Sequence, residues 1–217
     1  MKHIINLITF LTLTIFVQAQ SPTRFQDEIK HYIEEDGSTY ESRDLIVFTG
    51  SSSVRFWKTV DDNYPNHDII NRGFGGSMMS DLYYYRQELI LKYKPKQVFI
   101  YEGDNDIANG KSTKEIMKDT KMLVKAIRKS LPNTNIVFIS AKPSITRWNL
   151  KTEYERFNTK LEKYTKRQKN MEFADVWRTM LEKDGALDPT LFIEDGLHMN
   201  MAGYTIWKNT LEPFLLN

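Results

Sequence analysis

Asp195 and His198 stand three residues apart, a spacing at which a carboxylate and an imidazole can face each other across one turn. Such a carboxylate can accept a hydrogen bond from one ring nitrogen and leave the other free as a base. A serine hydroxyl is a poor nucleophile until a base takes its proton. Ser51, Ser52 and Ser53 follow Gly50 directly. Read together, these side chains are the parts of acyl transfer through a nucleophilic serine. That reaction passes through an oxyanion, which needs two or three fixed donors. Gly73-Phe74-Gly75-Gly76 and Gly103-Asp104-Asn105-Asp106 offer glycine N–H groups and one uncharged amide. Each cluster alone has a plainer use. Serines turn chains and cap helices, glycines shape turns, and a histidine can enter a helix bonded to backbone. Asp104 and Asp106 alone read as loop polarity. Two rival motifs are incomplete. Met78 sits where Gly-x-Gly-x-x-Gly needs its third glycine, and Val54 where Gly-x-Ser-x-Gly needs its last.

The elements that must position these groups follow from periodicity. Leu45 to Thr49 is an unbroken apolar and β-branched run, as in a strand buried on both faces. His67–Asn71, Gln97–Tyr101, Asn135–Ser140 and Met171–Asp175 read as four more strands. Helices fall between them. Phe25, Ile29 and Ile33 mark one over residues 24–35, leading to Asp36-Gly37. Ser80 can cap one that runs to about Tyr93 and stops before Pro95. Ser112 and Glu115 have capping-box spacing ahead of the stripe Ile116, Thr120, Leu123, Ile127, Leu131. Tyr154, Phe157, Leu161 and Tyr164 mark another, and Asn200 caps a last one with Ile206, Trp207 and Leu211 inward. Strands alternating with helices predict a parallel sheet with helices on both faces, joined by right-handed crossovers. The Gly-, Ser-, Asn- and Asp-rich loops all follow strands, so the carboxyl edge is the functional edge.

Composition narrows the class. A chain of 217 residues fits one α/β domain, and 41% hydrophobic residues fill a core. Lys2 and His3 precede the apolar run Ile4–Val17, and Val17-Gln18-Ala19 offers a small-residue cleavage site. This is the pattern of a secretory signal over residues 1–19, leaving a domain at 20–217 exported to the periplasm or the medium. The run is short for a membrane span, so no stable membrane anchor is expected. The formal charge of +2 gives no bulk argument for nucleic acid. With no cysteine and scattered histidines, no metal site is expected.

Taken together, the four clusters resemble the SGNH hydrolases, also called GDSL-like lipases and acylhydrolases, over essentially all of residues 20–217. The family's first block, Gly-Asp-Ser-x, is similar to Gly50-Ser51-Ser52-Ser53, with Ser51 where Asp is common. The second-block glycine falls on Gly76, Gly-x-Asn-Asp on Gly103-Asp104-Asn105-Asp106, and Asp-x-x-His on Asp195 and His198. The pattern is most similar to the branch with platelet-activating-factor acetylhydrolase catalytic subunits and bacterial carbohydrate esterases. The resemblance implies a three-layer α/β/α, flavodoxin-like fold with a five-stranded parallel sheet and no metal or other cofactor. It implies Ser52 as nucleophile, His198 as general base and then acid, and Asp195 as its orienter. It implies an oxyanion hole from the Ser52 and Gly76 N–H groups and the Asn105 amide.

The remaining segments, Asp61–Pro65, Asn109–Ser112 and Pro143–Asn149, are short and polar, without an apolar run to form a lid. Trp57, Tyr101 and Trp148, with Met78 and Met79, fall near the functional edge, and Arg147 could hold a polar alcohol portion. The expectation is an exported serine esterase for short, acetyl-like esters of carbohydrates, contacting substrate through Trp57, Met78, Arg147 and Trp148. Its partner is then a small ester or acylated glycan. Competing readings are a silent glycan- or peptide-binding module of the same fold, a flavodoxin-like phosphate or nucleotide binder, and a lipase or acyltransferase with the same triad.

Overall fold

The computed structural model describes residues 21–36 and 44–216; the leader expected at 1–19, and Gly37, lie outside the described residues. The elements run α1 (Gln26–Glu35), β1 (Ile46–Gly50), α2 (Ser52–Arg55), β2 (Ile69–Gly73), α3 (Met79–Tyr84), α4 (Arg86–Leu89) and β3 (Gln97–Tyr101). They continue with α5 (Asp104–Ala108), α6 (Thr113–Ser130), β4 (Asn135–Ile139), α7 (Lys151–Thr165), β5 (Met171–Ala174), α8 (Val176–Thr179) and α9 (Met201–Leu211). The five strands are all parallel, in the order β2-β1-β3-β4-β5. This is the flavodoxin-like order, with its topological switch between β1 and β3.

Alternation along the strands builds two cores. Val47, Val98, Ile100, Ile136 and Phe138 face one way, against Ile29 of α1, Leu82 of α3, Ile116, Leu123 and Ile127 of α6 and Phe157 of α7. Phe48, Phe99, Tyr101, Val137 and Ile139 face the other, against Val176 of α8 and Tyr204, Trp207 and Leu211 of α9. Phe48 and Phe99 stack across the β1–β3 pair with centroids 4.4 Å apart. The result is the three-layer α/β/α sandwich.

The capping box of α6 forms as its spacing predicts: Ser112 Oγ accepts from Glu115 N–H, and Glu115 accepts from Ser112 N–H. One helix differs. The segment after the glycine loop starts at Met79 rather than after Ser80, because the Asp81 carboxylate accepts the Met78 N–H at 3.0 Å and caps it there. Tyr85 then leaves helical geometry, so residues 79–93 form α3, α4 and a short 3-10 turn instead of one helix.

Candidate active site

Strand register brings three loops level. Gly50 pairs with Gly73 on one side and with Tyr101 on the other. Ser52, Gly76 and Asn105 follow these three positions by two, three and four residues. Close approach at this edge requires glycine at position 50. Its φ is +125°, and a Cβ there would lie 2.0 Å from the Tyr101 carbonyl oxygen. Ser51 N–H donates to that same carbonyl at 3.0 Å. The chain then turns into α2, with Ser52 as its first residue. The N–H of this first residue has no acceptor within the helix.

The loop after β5 and α8 closes over this point. His198 Nε2 lies 3.0 Å from Ser52 Oγ, and His198 Nδ1 lies 2.5 Å from Asp195 Oδ2. A carboxylate only accepts, so Nδ1 donates to it and Nε2 is left to accept the serine proton. Asp195 is itself held: its Oδ1 accepts the Leu197 and His198 N–H groups, each at 2.8 Å. Partial desolvation pushes the Asp195 carboxyl up, but the bonds from the His198 ring and the two backbone N–H groups outweigh it and bring it down to about 2. The carboxylate therefore stays charged beside the imidazole.

Gly76 has φ +77°, and a Cβ there would meet nothing within 4 Å. Backbone conformation, not space, calls for glycine here. Its loop is strapped from below. Ser77 Oγ donates to Glu102 at 2.6 Å, Met79 N–H to Asp106 at 3.0 Å, and Arg24 to the Gly76 carbonyl at 3.2 Å. Burial pushes the Glu102 carboxyl well above the usual range, with Asp106 adding to it. Asp106 is also paired with Lys111 at 2.9 Å. The buried Asn105 donates through Nδ2 to the Ser77 carbonyl at 2.9 Å, which fixes the amide against the glycine loop.

The four expected substrate contacts fare differently. Trp57 is 1% exposed and packs with Phe48, Tyr204 and Trp207 in the core under α9, so it is a core residue and not a substrate contact. Met78 is buried at the start of α3. Trp148 is half-buried and stacked on Trp177 at 6.0 Å. Arg147 turns inward: Nη1 donates to Asp104 at 2.6 Å and Nη2 to Asn105 Oδ1 at 2.9 Å. Its guanidinium is thereby committed to the protein. Tyr101 is buried, with its hydroxyl donating to Asp104 at 2.9 Å. Asp104 also accepts from the Tyr154 hydroxyl, so it is a buried hub and not loop polarity.

Two contributors escape a reading by residue type. Phe56 is 45% exposed and lies edge-on to the His198 ring, centroids 4.8 Å apart. Ser52 and Phe56 are four apart, so both emerge on one side of α2 while Val54 and Trp57 turn to the core. That spacing was the available signal. Lys142 is buried, with Nζ donating to the Leu197 carbonyl at 2.6 Å. Burial pushes its amine down to about 8 despite the nearby Asp104 carboxylate. Thr146 binds the same loop, through Oγ1 to the Asp195 carbonyl at 2.7 Å and through N–H to the Gly196 carbonyl at 3.1 Å. The segment 142–147 thus braces the His198 loop and Asn105 together.

Comparison with known proteins agrees with this architecture. The model of the GDSL-like Lipase/Acylhydrolase family matches residues 37–206. A structure from Streptococcus pneumoniae, provisionally named a platelet activating factor, superposes with TM-score 0.79 at 19% identity, covering 89% of this chain and 94% of that one. A GDSL-like lipase from Bacteroides thetaiotaomicron gives 0.74 at 20% identity, covering 86% and 96%. A catalytic mutant of an acetylxylan esterase from Geobacillus stearothermophilus gives 0.67 at 17%, covering 82% and 97%. In sequence, the chain is 27% identical over 192 residues to an N-acylneuraminate cytidylyltransferase of Escherichia coli O18:K1:H7. That alignment covers 84% of this chain but spans only 43% of the relative's length.

Proposed function

The chain belongs to the GDSL-like lipase/acylhydrolase family, and from that premise we propose that it is an exported serine esterase that removes short acyl groups, acetyl above all, from carbohydrate esters. One observation carries the reading: Ser52 Oγ, His198 and Asp195 form an unbroken hydrogen-bonded chain at the carboxyl edge of the sheet. In this mechanism Ser52 Oγ bonds to the ester carbonyl carbon as its proton passes to His198 Nε2. The carbonyl oxygen takes up the electron pair and is met by the Ser52 N–H, the Gly76 N–H and the Asn105 amide. The intermediate collapses, the C–O bond breaks, and the alcohol leaves with the proton from Nε2. Water then repeats the sequence on the acyl-serine, releasing the acid and restoring Ser52.

The preference for a polar ester with a short acyl group rests on what surrounds this chain. The segment 142–147 is spent on internal hydrogen bonds and is not available as a lid. Phe56 presents an aromatic face next to His198, suited to the apolar face of a sugar ring. The acetylxylan esterase among the structural neighbours favours a carbohydrate ester.

The test is labelling with a fluorophosphonate, followed by mapping of the modified residue. Modification of Ser52, with a Ser52→Ala variant losing ~10³-fold or more in turnover on 4-nitrophenyl acetate, is the expected result. Label on Ser51 or Ser53, or an active Ser52→Ala protein, refutes the assignment.

A further inference from the structure

Between α6 and α7 lies a groove of about 970 Å³ that the reaction chemistry does not use. Its lining combines the apolar side chains of Ile107, Met117 and Met122 with a row of basic groups. Lys114, Lys118, Lys121 and Lys125 line one side, and Arg156 and Lys160 the other. The lysine spacings of four, three and four place one cation per turn on a single face of α6, about 5.4 Å apart along the axis.

Three lysines elsewhere on the surface pair with glutamates one helical turn away, in Lys30–Glu34, Lys151–Glu155 and Glu162–Lys166. Along the groove, Lys114 faces Lys118 and Lys121 faces Lys125 at that same spacing, which destabilises a helix by a few tenths of a kcal/mol per pair. Among the described residues, Lys114, Lys118, Lys125, Arg156 and Lys160 make no ion pair, and Lys121 only overlies the Tyr164 ring at 5.9 Å. Of the two acids in the lining, Glu115 is committed to the α6 capping box, leaving Glu153. On a chain of formal charge +2, this is a strong local concentration.

We infer that this groove binds the anionic backbone of an acidic polysaccharide and holds it below the edge that carries Ser52. The inference rests on the esterase reading above and names its substrate class. Both helices start at that edge: α6 follows the helix bearing Asn105, and α7 follows Arg147. One cation per helical turn matches a polymer carrying one carboxylate per sugar. The aliphatic lysine stems and the methionines supply apolar contact for sugar rings. Among the described residues no aromatic side chain lines the groove, so these residues supply no stacking platform of the kind that single-stranded nucleic acid uses.

The test uses the Ser52→Ala protein with polygalacturonate, which carries no acyl group, as the probe and calorimetry as the readout. Polygalacturonate should bind, more weakly as salt rises, and neutral dextran should not. A Lys118→Glu/Lys125→Glu/Lys160→Glu variant should bind ~10-fold more weakly or worse, as expected for losing several exposed ion pairs. Should that variant unfold, the Lys-to-Gln version at the same positions gives the same comparison. Equal binding by the variant, or equal binding of dextran, overturns the inference. Equally tight binding of polyglutamate, single-stranded DNA or phosphatidylglycerol vesicles overturns its carbohydrate identity. Hydrolysis of 4-nitrophenyl acetate by the unsubstituted protein is scored separately. Failure there refutes the esterase reading, whereas failure of polymer binding with hydrolysis intact refutes the groove alone.

Discussion

Arg147 and Asn105 are joined side chain to side chain, Nη2 to Oδ1 at 2.9 Å, and this contact decides which way round the Asn105 amide sits. A guanidinium has only donors, so the oxygen of the amide must face it. The Nδ2 group is thereby turned to the Ser77 carbonyl and to the glycine loop. Asp104 holds the guanidinium from the other side at 2.6 Å, with both groups largely buried.

The first prediction separates this positioning role from a simple charge pair. Arg147→Lys keeps a cation beside Asp104 but loses the fork that reaches Asn105. Turnover should fall roughly tenfold with KM nearly constant, against about 10²- to 10³-fold for Asn105→Ala. The double variant should be no worse than Asn105→Ala alone, since Arg147 acts through that amide. Additive losses in steady-state kinetics would mean that Arg147 meets the substrate directly.

A second prediction concerns pH and Lys142. Its amine is pushed by burial from 10.5 down to about 8 in the folded chain. Between these values the unfolded chain binds more protons than the folded one, so stability rises with pH across that window. Below pH 8 the cost of the buried charge is fully present. Denaturant unfolding of the parent and of Lys142→Met at pH 7, 9 and 10 reads this out. The parent should gain on the variant from pH 8 upward; parallel curves would show that Lys142 is not desolvated in solution.

Trp57 and Phe56 are adjacent in sequence and should behave oppositely. Trp57→Ala should cost about 3–5 kcal/mol of stability, as large core truncations do. Phe56→Ala should leave the thermal midpoint almost unchanged and raise KM for acetylated oligosaccharides about threefold to tenfold, the scale of one aromatic contact. Stability and kinetics measured on both variants decide it. A stable Trp57→Ala protein with a raised KM would return Trp57 to the substrate.

The fourth prediction is acyl length. A series of 4-nitrophenyl esters should show kcat/KM dropping steeply beyond about four carbons, as a small preformed site demands. A maximum at eight carbons or longer would indicate a lipase.

Local pattern alone determined much of this protein. Buried strands announce themselves as continuous β-branched runs, and β3 falls at Gln97–Tyr101 as its sequence reads. The other four strands lie within two residues of where their sequences place them. The order of the strand-end clusters, from Gly50 to His198, carried the family, because a parallel sheet delivers every strand end to one edge. The juxtaposition of Ser52 with His198 across 146 positions was implied by that order, while its distance belongs to the fold.

Tertiary structure alone decided what each side chain faces. Trp57 and Phe56 are both aromatic, and nothing in their type says which enters the core. The direction in which α2 leaves β1, set by the Gly50 contact with Tyr101, buries one and exposes the other. Arg147 reads as a substrate contact for a polar alcohol portion until Asp104 and Tyr154 are seen to form a buried pocket for its head group. Asp104 reads as a loop polar group for the same reason, since its partners come from β3, the loop after β4, and α7. Lys142 reaches Leu197 across 55 positions. Such contacts depend on which chain segments the sheet order brings together. Periodicity reports only which face of one element is apolar, so it is silent on them.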